Sequence, residues 1–424
     1  MAVYANNRIN YIVNSVVFLI WPLGVLFLSL KDFTSKTARF GFSVVGFFIG
    51  YTMVTKSGMD GSRIGNRFLE SSNASWSDFK VSILGTYVTE GVNPDIYLSS
   101  MTYFISRFSA NTHLFFGILS FIYFYVVVGF IREIYFLLNV RDLIAPKRNF
   151  FFYVLLASFL FIYPLSGGAN AVRFPLATFF FFYTIIFYLK QRRVKYIVLN
   201  SLTFLIHWSF IPVVLLFPVS LVLSKLKSNK YVIVVFVMLF AASNIISENI
   251  LKLSILEGST IENRVDTFTK ETYVSNMAVS LESKNINVKL SKLLPLYFAV
   301  LVLVFFSIMG KRFVYSKITN YFFVLSLVLG VLTFVVGNEA GLVNNRFVKL
   351  LLISTLVFLG LAWRDNARKR GIQWLLWIYL PIFLLQCYMI FRTDFEVLTL
   401  TTYLGNIFIA NLTENSTPII DLIK

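Results

Sequence analysis

The sequence predicts an all-α, polytopic integral membrane protein of about twelve transmembrane helices, organised as a single domain over 1–424. Three observations carry this reading. Of the 424 residues, 57% are hydrophobic and only 14% charged, and the mean hydropathy is +0.75. That leaves too little polar surface for a soluble chain of this length. Apolar runs of spanning length recur from one end of the chain to the other. The net charge of +18 is confined almost entirely to six short loops.

The runs are, in order, Tyr11–Leu30, Arg39–Val54, Leu114–Ile131, Asn149–Tyr163, Arg173–Leu189, Tyr231–Ile246, Leu293–Met309, Tyr321–Val336, Phe347–Ala362 and Trp374–Phe391. They hold 15–20 residues each, close to the length that crosses a hydrocarbon layer as a helix. The first is of spanning length and lacks the basic n-region and Ala-x-Ala site of a cleaved signal, so it reads as a span. Tyr196–Leu223 is too long for one span and short for two. It predicts a tight helical hairpin turning near His207, or a re-entrant pair. The single cysteine, Cys387, lies inside an apolar run and excludes intrachain disulfides and cysteine-cluster metal sites.

The basic loops are 31–39, 132–148, 190–196, 224–230, 311–317 and 364–370. They hold 21 Lys/Arg and 4 Asp/Glu, while the rest of the chain holds 17 and 16. They alternate with the other loops along the helix count. The positive-inside rule therefore makes them cytoplasmic and puts both termini and the other loops outside. The charge reflects topology and gives no reason to expect nucleic acid as a partner.

Two long loops, 55–113 and 247–292, lie on the outer side. Trp76, Phe79, Ile83 and Tyr87 recur at helical spacing in the first. Asn93-Pro94-Asp95 reads as a helix start, and Tyr97, Met101, Phe104 and Phe108 form a second apolar stripe. Two amphipathic helices are expected there, covering a cavity or packed on neighbouring helices.

No phosphate-binding glycine loop, zinc-protease motif or His/Asp cluster is present, so no cofactor and no metal site is expected. The informative residues are polar ones at predicted outer helix ends. Arg173 follows Ser166-Gly167-Gly168-Ala169-Asn170 and opens a long apolar run. A guanidinium there costs free energy unless it reaches water or a partner. Its donor fork suits phosphate and diphosphate, and the helix N-terminus adds partial positive charge. Asn170 stands one turn earlier and can share the ligand. A snorkelling interfacial arginine is the plain alternative. Arg346 repeats the pattern with Asn345, at the end of a short outer loop that also holds Glu339. The alternative there is an Arg346–Glu339 pair that only ties the loop.

His207 interrupts an apolar stretch and can serve as base, acid or neutral donor, or as a core histidine satisfied by a carbonyl. Glu339 is the acidic residue of the two short outer loops; Glu70, Asp78, Glu90 and Asp95 compete from the first long loop. Arg264, in Glu262-Asn263-Arg264-Val265-Asp266, reads as a further substrate contact or a solvated face.

The order of these features resembles the EpsG-like branch of bacterial Wzy-type polysaccharide polymerases. It runs from Asn93-Pro94-Asp95 with Tyr97, through Asn170-x-x-Arg173-x-x-x-Ala177 and a hydrophobic hairpin with His207-x-Ser209, to a late Asn345-Arg346. Phe174 stands where that pattern places a polar residue, often Gln. The long outer loop reads as departing from the family's Gly-x-Asp element, for which Gly65-Asn66-Arg67 is the nearest stretch.

The resemblance implies a multi-helical relative of the GT-C membrane glycosyltransferases in the bacterial cytoplasmic membrane. It implies polymerisation of undecaprenyl-diphosphate-linked oligosaccharide units on the outer face, as in O-antigen or capsule synthesis. Both donor and acceptor are then lipid-linked, and no nucleotide sugar or metal is needed. A separate partner can set chain length. In that reading Arg173 and Arg346 hold the diphosphate, Asn170 and Asn345 orient it, and His207 or Glu339 takes the acceptor proton. The rival classes are a lipid-linked oligosaccharide flippase and an O-antigen ligase. A flippase places cations along a path through the membrane, whereas Arg173 and Arg346 cluster at outer helix ends.

Overall fold

The computed structural model describes residues 12–31, 33–56, 59–84, 96–138, 150–226, 285–337, 341–366, 370–412 and 417–423. Within them every regular element is helical. Six helices are long and apolar enough to cross a membrane: Thr112–Leu138, Arg173–Gln191, Ile286–Met309, Lys317–Phe334, Arg346–Asp365 and Arg370–Phe395. Shorter apolar helices cover Phe150–Leu160, Lys195–Ile206 and Trp208–Leu223. The chain is a multi-pass membrane protein; these are the helices the described residues set against the expected twelve. The expected span Tyr231–Ile246 lies outside the described residues, as do Glu90, Asn93-Pro94-Asp95, Arg264 and Glu339.

The first expected span is two short helices, α1 (12–20) and α2 (Gly24–Lys31). Pro22 explains the break, because its ring lacks an amide hydrogen and disfavours helical geometry at Trp21. Helix α3 (Lys36–Tyr51) follows. The outer segment holds three helices: α4 (Asp60–Ser71), α5 (Trp76–Leu84) and α6 (Ile96–Ser106). The last two pack on each other through stacked Phe79 and Tyr103 rings, 4.3 Å apart. Helix α4 was not foreseen, since its apolar face is only Ile64 and Phe68 amid polar residues.

Helix α7 (Thr112–Leu138) lies antiparallel to α3. Gly46 faces Phe124, and a side chain at Gly50 would meet the Phe116 carbonyl. This small-xxx-small stripe lets the two backbones approach closely, which in an apolar layer replaces the hydrophobic drive to associate. Helix α8 (Phe150–Leu160) leads to a bent segment, one helical turn α9 (Gly167–Asn170), and α10 (Arg173–Gln191). The chain then reverses at Arg192, whose φ of 54° is left-handed.

The Tyr196–Leu223 region is a hairpin. Its first arm is α11 (Lys195–Ser201) with α12 (Thr203–Ile206), and its second is α13 (Ile211–Leu223). The first arm runs antiparallel to α10: Tyr196 stacks on Phe187, and His207 lies against Phe174. Asn200, fully buried, docks that arm by donating to the Phe181 carbonyl and the Thr184 hydroxyl. The second arm runs parallel to α10, with Phe210 beside Phe174 and Phe217 beside Tyr188. His207, extended at φ −151° and ψ 117°, is the turn.

Four helices complete the bundle: α14 (Ile286–Met309), α15 (Lys317–Gly337), α16 (Gly341–Asp365) and α17 (Arg370–Phe395). The second long loop is therefore shorter than expected, because α14 begins seven residues before Leu293. Helices α15 and α16 are antiparallel, joined by Ser326 and Ser354 hydroxyls 2.8 Å apart.

The basic loops meet at one end of the bundle. Lys190 pairs with Glu133 at 2.7 Å. Arg364 donates to the Leu137 carbonyl and to Asp365, whose carboxylate also accepts the Ser316 amide. Asn320, beside the 311–317 loop, donates to the Ser224 carbonyl. Five of the six loops thus share one face, as the charge pattern requires.

Candidate functional site

At the opposite end the chain frames an open cavity of about 310 Å³. It brings together Asn170, Arg173, His207 and Arg346, all predicted from sequence, with Asp60 and Lys349, which were not. Asn345 lies on α16, and its side chain is outside the description.

The α9 turn sets Arg173. Gly168 presses against Tyr123 and the Ser120 backbone of α7, where a Cβ would come within 2.7 Å of the Tyr123 ring. The chain then bends at Ala171 and enters α10 at Arg173. Asn170 does more than line the cavity, since its Oδ1 accepts the Gly61 amide at 2.9 Å. The residue before α4, Met59, gives no side-chain cap, so Asn170 caps α4 from another part of the chain. This fixes Asp60 at the cavity wall, where it also pairs with Arg63 at 3.9 Å. The N-termini of α4 and α10 both meet the cavity and contribute partial positive charge.

Arg346 corrects the sequence reading. Helix α16 begins at Gly341, so Arg346 stands in its second turn and does not open it. Gly341, Leu342 and Val343 extend the helix instead of forming a loop, and no helix-end dipole acts at Arg346. What the helix supplies is Lys349, one turn further and on the same face. Two aromatic rings receive these cations. The Arg346 guanidinium lies 5.6 Å from the Phe174 ring centre, and the Lys349 ammonium lies 4.3 Å from that of Tyr163. Phe174 presents itself edge-on to His207, at 5.3 Å and 89°. The residue that departs from the expected Gln therefore contacts both Arg346 and His207.

His207 is 3% exposed. Its Nδ1 accepts the Ser209 backbone amide at 3.2 Å and lies 2.8 Å from the Ser209 hydroxyl. An Nδ1 that accepts an amide hydrogen leaves the proton of a neutral ring on Nε2. The geometry favours a ring that donates through Nε2.

Behind the cavity wall, Asp394 is fully buried. Its two oxygens accept the amides of Leu165 and Ser166 at 3.0 and 2.9 Å. Asp78 is committed elsewhere. Its carboxylate accepts the Ser75 hydroxyl and amide at the start of α5, and those bonds hold it below the usual carboxylate range. Glu70 is exposed on α4 and does not line the cavity.

Asp60 had a legible signal. Gly58-Met59-Asp60 is itself a Gly-x-Asp element, a better match than Gly65-Asn66-Arg67. Lys349 was hidden inside the run Phe347–Ala362, where a lone lysine is costly and therefore informative. Asp394 fell beyond the expected end of its span at Phe391.

The EpsG family's sequence profile matches residues 66–404. The chain belongs to the EpsG family. The match takes in Arg173, His207, Arg346, Lys349 and Asp394 and leaves Asp60 outside it. No curated protein and no solved structure matches. EpsG membership gives the coarse function, a polysaccharide-polymerase-like membrane protein of glycosyltransferase type.

Proposed function

We propose that this protein is a Wzy-type polymerase that joins undecaprenyl-diphosphate-linked oligosaccharide units, and that the cavity holds the donor diphosphate. The observation that carries the reading is the convergence of Arg173, Arg346 and Lys349 in one cavity where, among the described residues, Asp60 is the carboxylate on the wall. Three cations against one anion match a group that bears several negative charges and gains more as it leaves.

In the proposed step an acceptor hydroxyl attacks the anomeric carbon of the donor sugar. The bond from that carbon to the phosphate oxygen breaks, and the diphosphate departs with the electron pair. Arg173, Arg346 and Lys349 stabilise the growing charge, an effect that raises the rate only where it is stronger in the transition state. His207 donates Nε2–H to a phosphate or sugar oxygen. Asp60 accepts the hydroxyl proton. Asn170 holds α4, and with it Asp60, at the wall. The positive-inside rule supports a cytoplasmic basic end, and in this reading the cavity faces outward across the bacterial inner membrane.

The test is Arg173→Ala and Lys349→Met in a strain lacking its own copy, with polysaccharide length read on a gel and the variant quantified in the membrane. Single lipid-linked units accumulating on the outer side are expected. Normal long chains with the protein present would exclude the reading, and units trapped on the inner side would identify a flippase.

A further inference from the structure

We propose a second subsite, an apolar groove that holds the prenyl chain next to the diphosphate; this rests on the lipid-diphosphate reading of the cavity. The groove, of about 180 Å³, adjoins the cavity along one short stretch of chain. Tyr163, Pro164 and Ser166 line the cavity, whereas Phe161 and Leu165 line the groove. The last turn of α17 and the chain after it repeat this division, with Thr393 on the cavity and Leu398 on the groove. Asp394, through the Leu165 and Ser166 amides, fixes the partition between the two.

Among the described residues, no charged side chain lines the groove. Of its two hydroxyls, that of Thr402 is bonded to Thr52 at 2.8 Å, and that of Tyr403 has no hydrogen-bond partner among the described residues. Ile49 and Phe42, seven residues apart on α3, both line it. The groove therefore runs roughly 10 Å along that helix, from the site end toward the middle of the bundle. Trp21, whose indole donates to the Tyr403 carbonyl at 2.8 Å, supplies the aromatic character of a membrane–water boundary. A head group held by the three cations has its tail directed into hydrocarbon at this depth, and the groove is the apolar space that begins there.

The physical gain is alignment. A tail in the groove leaves one hydrocarbon environment for another, so little hydrophobic free energy is available. Contact with Phe42, Phe124 and Phe161 instead fixes the path of the chain leaving the diphosphate, and with it the direction in which the departing phosphate points.

The experiment uses the full chain in nanodiscs and a short polyprenyl diphosphate with a photoreactive group in the isoprene nearest the phosphate. Labelled peptides are mapped with and without excess farnesyl diphosphate. Labelling of Phe161 or Leu165, lost on competition, is expected. Leu26→Trp, which fills the groove, is expected to reduce that labelling roughly ten-fold, the size set by the overpacking cost of an added ring. Phe161→Ala, which enlarges it, provides a second variant should the first fail to accumulate. Competed labelling that falls elsewhere would overturn the groove and leave the cationic cavity standing. Labelling that diphosphate does not compete would remove both. Equal labelling by a photoreactive phosphatidylcholine would assign the groove to ordinary bilayer lipid and overturn the proposal.

Discussion

Asp394 holds Ser166 by its backbone: one carboxylate oxygen accepts the Ser166 amide at 2.9 Å, while the other takes the amide of Leu165. A single buried side chain thus ties α17 to the segment that enters the cavity. Asp394→Ala orphans the buried Ser166 amide, at about 1–3 kcal/mol, and the half-buried Leu165 amide, at less. The variant is expected to unfold at lower temperature in detergent and to lose polymerisation. Asp394→Asn, which keeps one acceptor oxygen, is expected to fall between. An alanine variant with wild-type melting and chain length would show that the clamp has no such role.

Phe174 couples Arg346 to His207. Cation–π contact with a ring contributes on the order of 0.5–2 kcal/mol. Phe174→Ala is therefore expected to weaken diphosphate binding by about ten-fold, measured by displacement of a fluorescent prenyl diphosphate. Phe174→Tyr, with the ring retained, is expected to stay near wild type. Equal affinity in the alanine variant would make the ring a spacer only.

Lys349 contributes charge at a position where its chain length matters. Lys349→Met keeps much of the volume and removes the cation. By analogy with the loss of one charge-stabilising donor, turnover is expected to fall on the order of 10²–10³-fold. Lys349→Arg, bulkier and planar, is expected to restore only part of it. Turnover assays on purified protein decide this, and an unchanged rate in the methionine variant would remove Lys349 from the clamp.

His207 is expected to act by donating a hydrogen bond. Glutamine can donate from its amide but cannot serve as a base near neutral pH. His207→Gln should then retain more activity than His207→Ala. Ser209→Ala should be nearly silent, because the backbone amide that sets the tautomer remains. Equal loss in the glutamine and alanine variants would instead point to proton transfer by the imidazole.

The helical class, the placement of the basic loops and the pairing of Arg173 with Arg346 were legible because hydropathy and loop charge act locally along the chain. The hairpin at His207 was legible from length and charge alternation together. Asp60 and Lys349 were harder, for different reasons. Asp60 has a local signal in Gly58-Met59-Asp60, but its place at the wall is set by a bond from Gly61 to Asn170, 109 residues away, which no local pattern reports. Lys349 lies inside an apolar run and is noticed only when Arg346 is known to share its helix face. The start of α16 was misplaced because the polar Asn344-Asn345 pair reads as loop although Gly341–Asp365 is one helix.

The cavity is assembled from residues far apart in the order of synthesis. Arg173 enters the membrane early, whereas Thr393 and Asp394, which close and brace the wall, come more than two hundred residues later. At ordinary translation rates of about 5–20 residues per second, that interval is roughly 10–45 s. For that time the nascent chain displays an arginine without a finished chamber around it. In the proposed reading, insertion of α17 is the step that completes the chamber, and no diphosphate can be held before it.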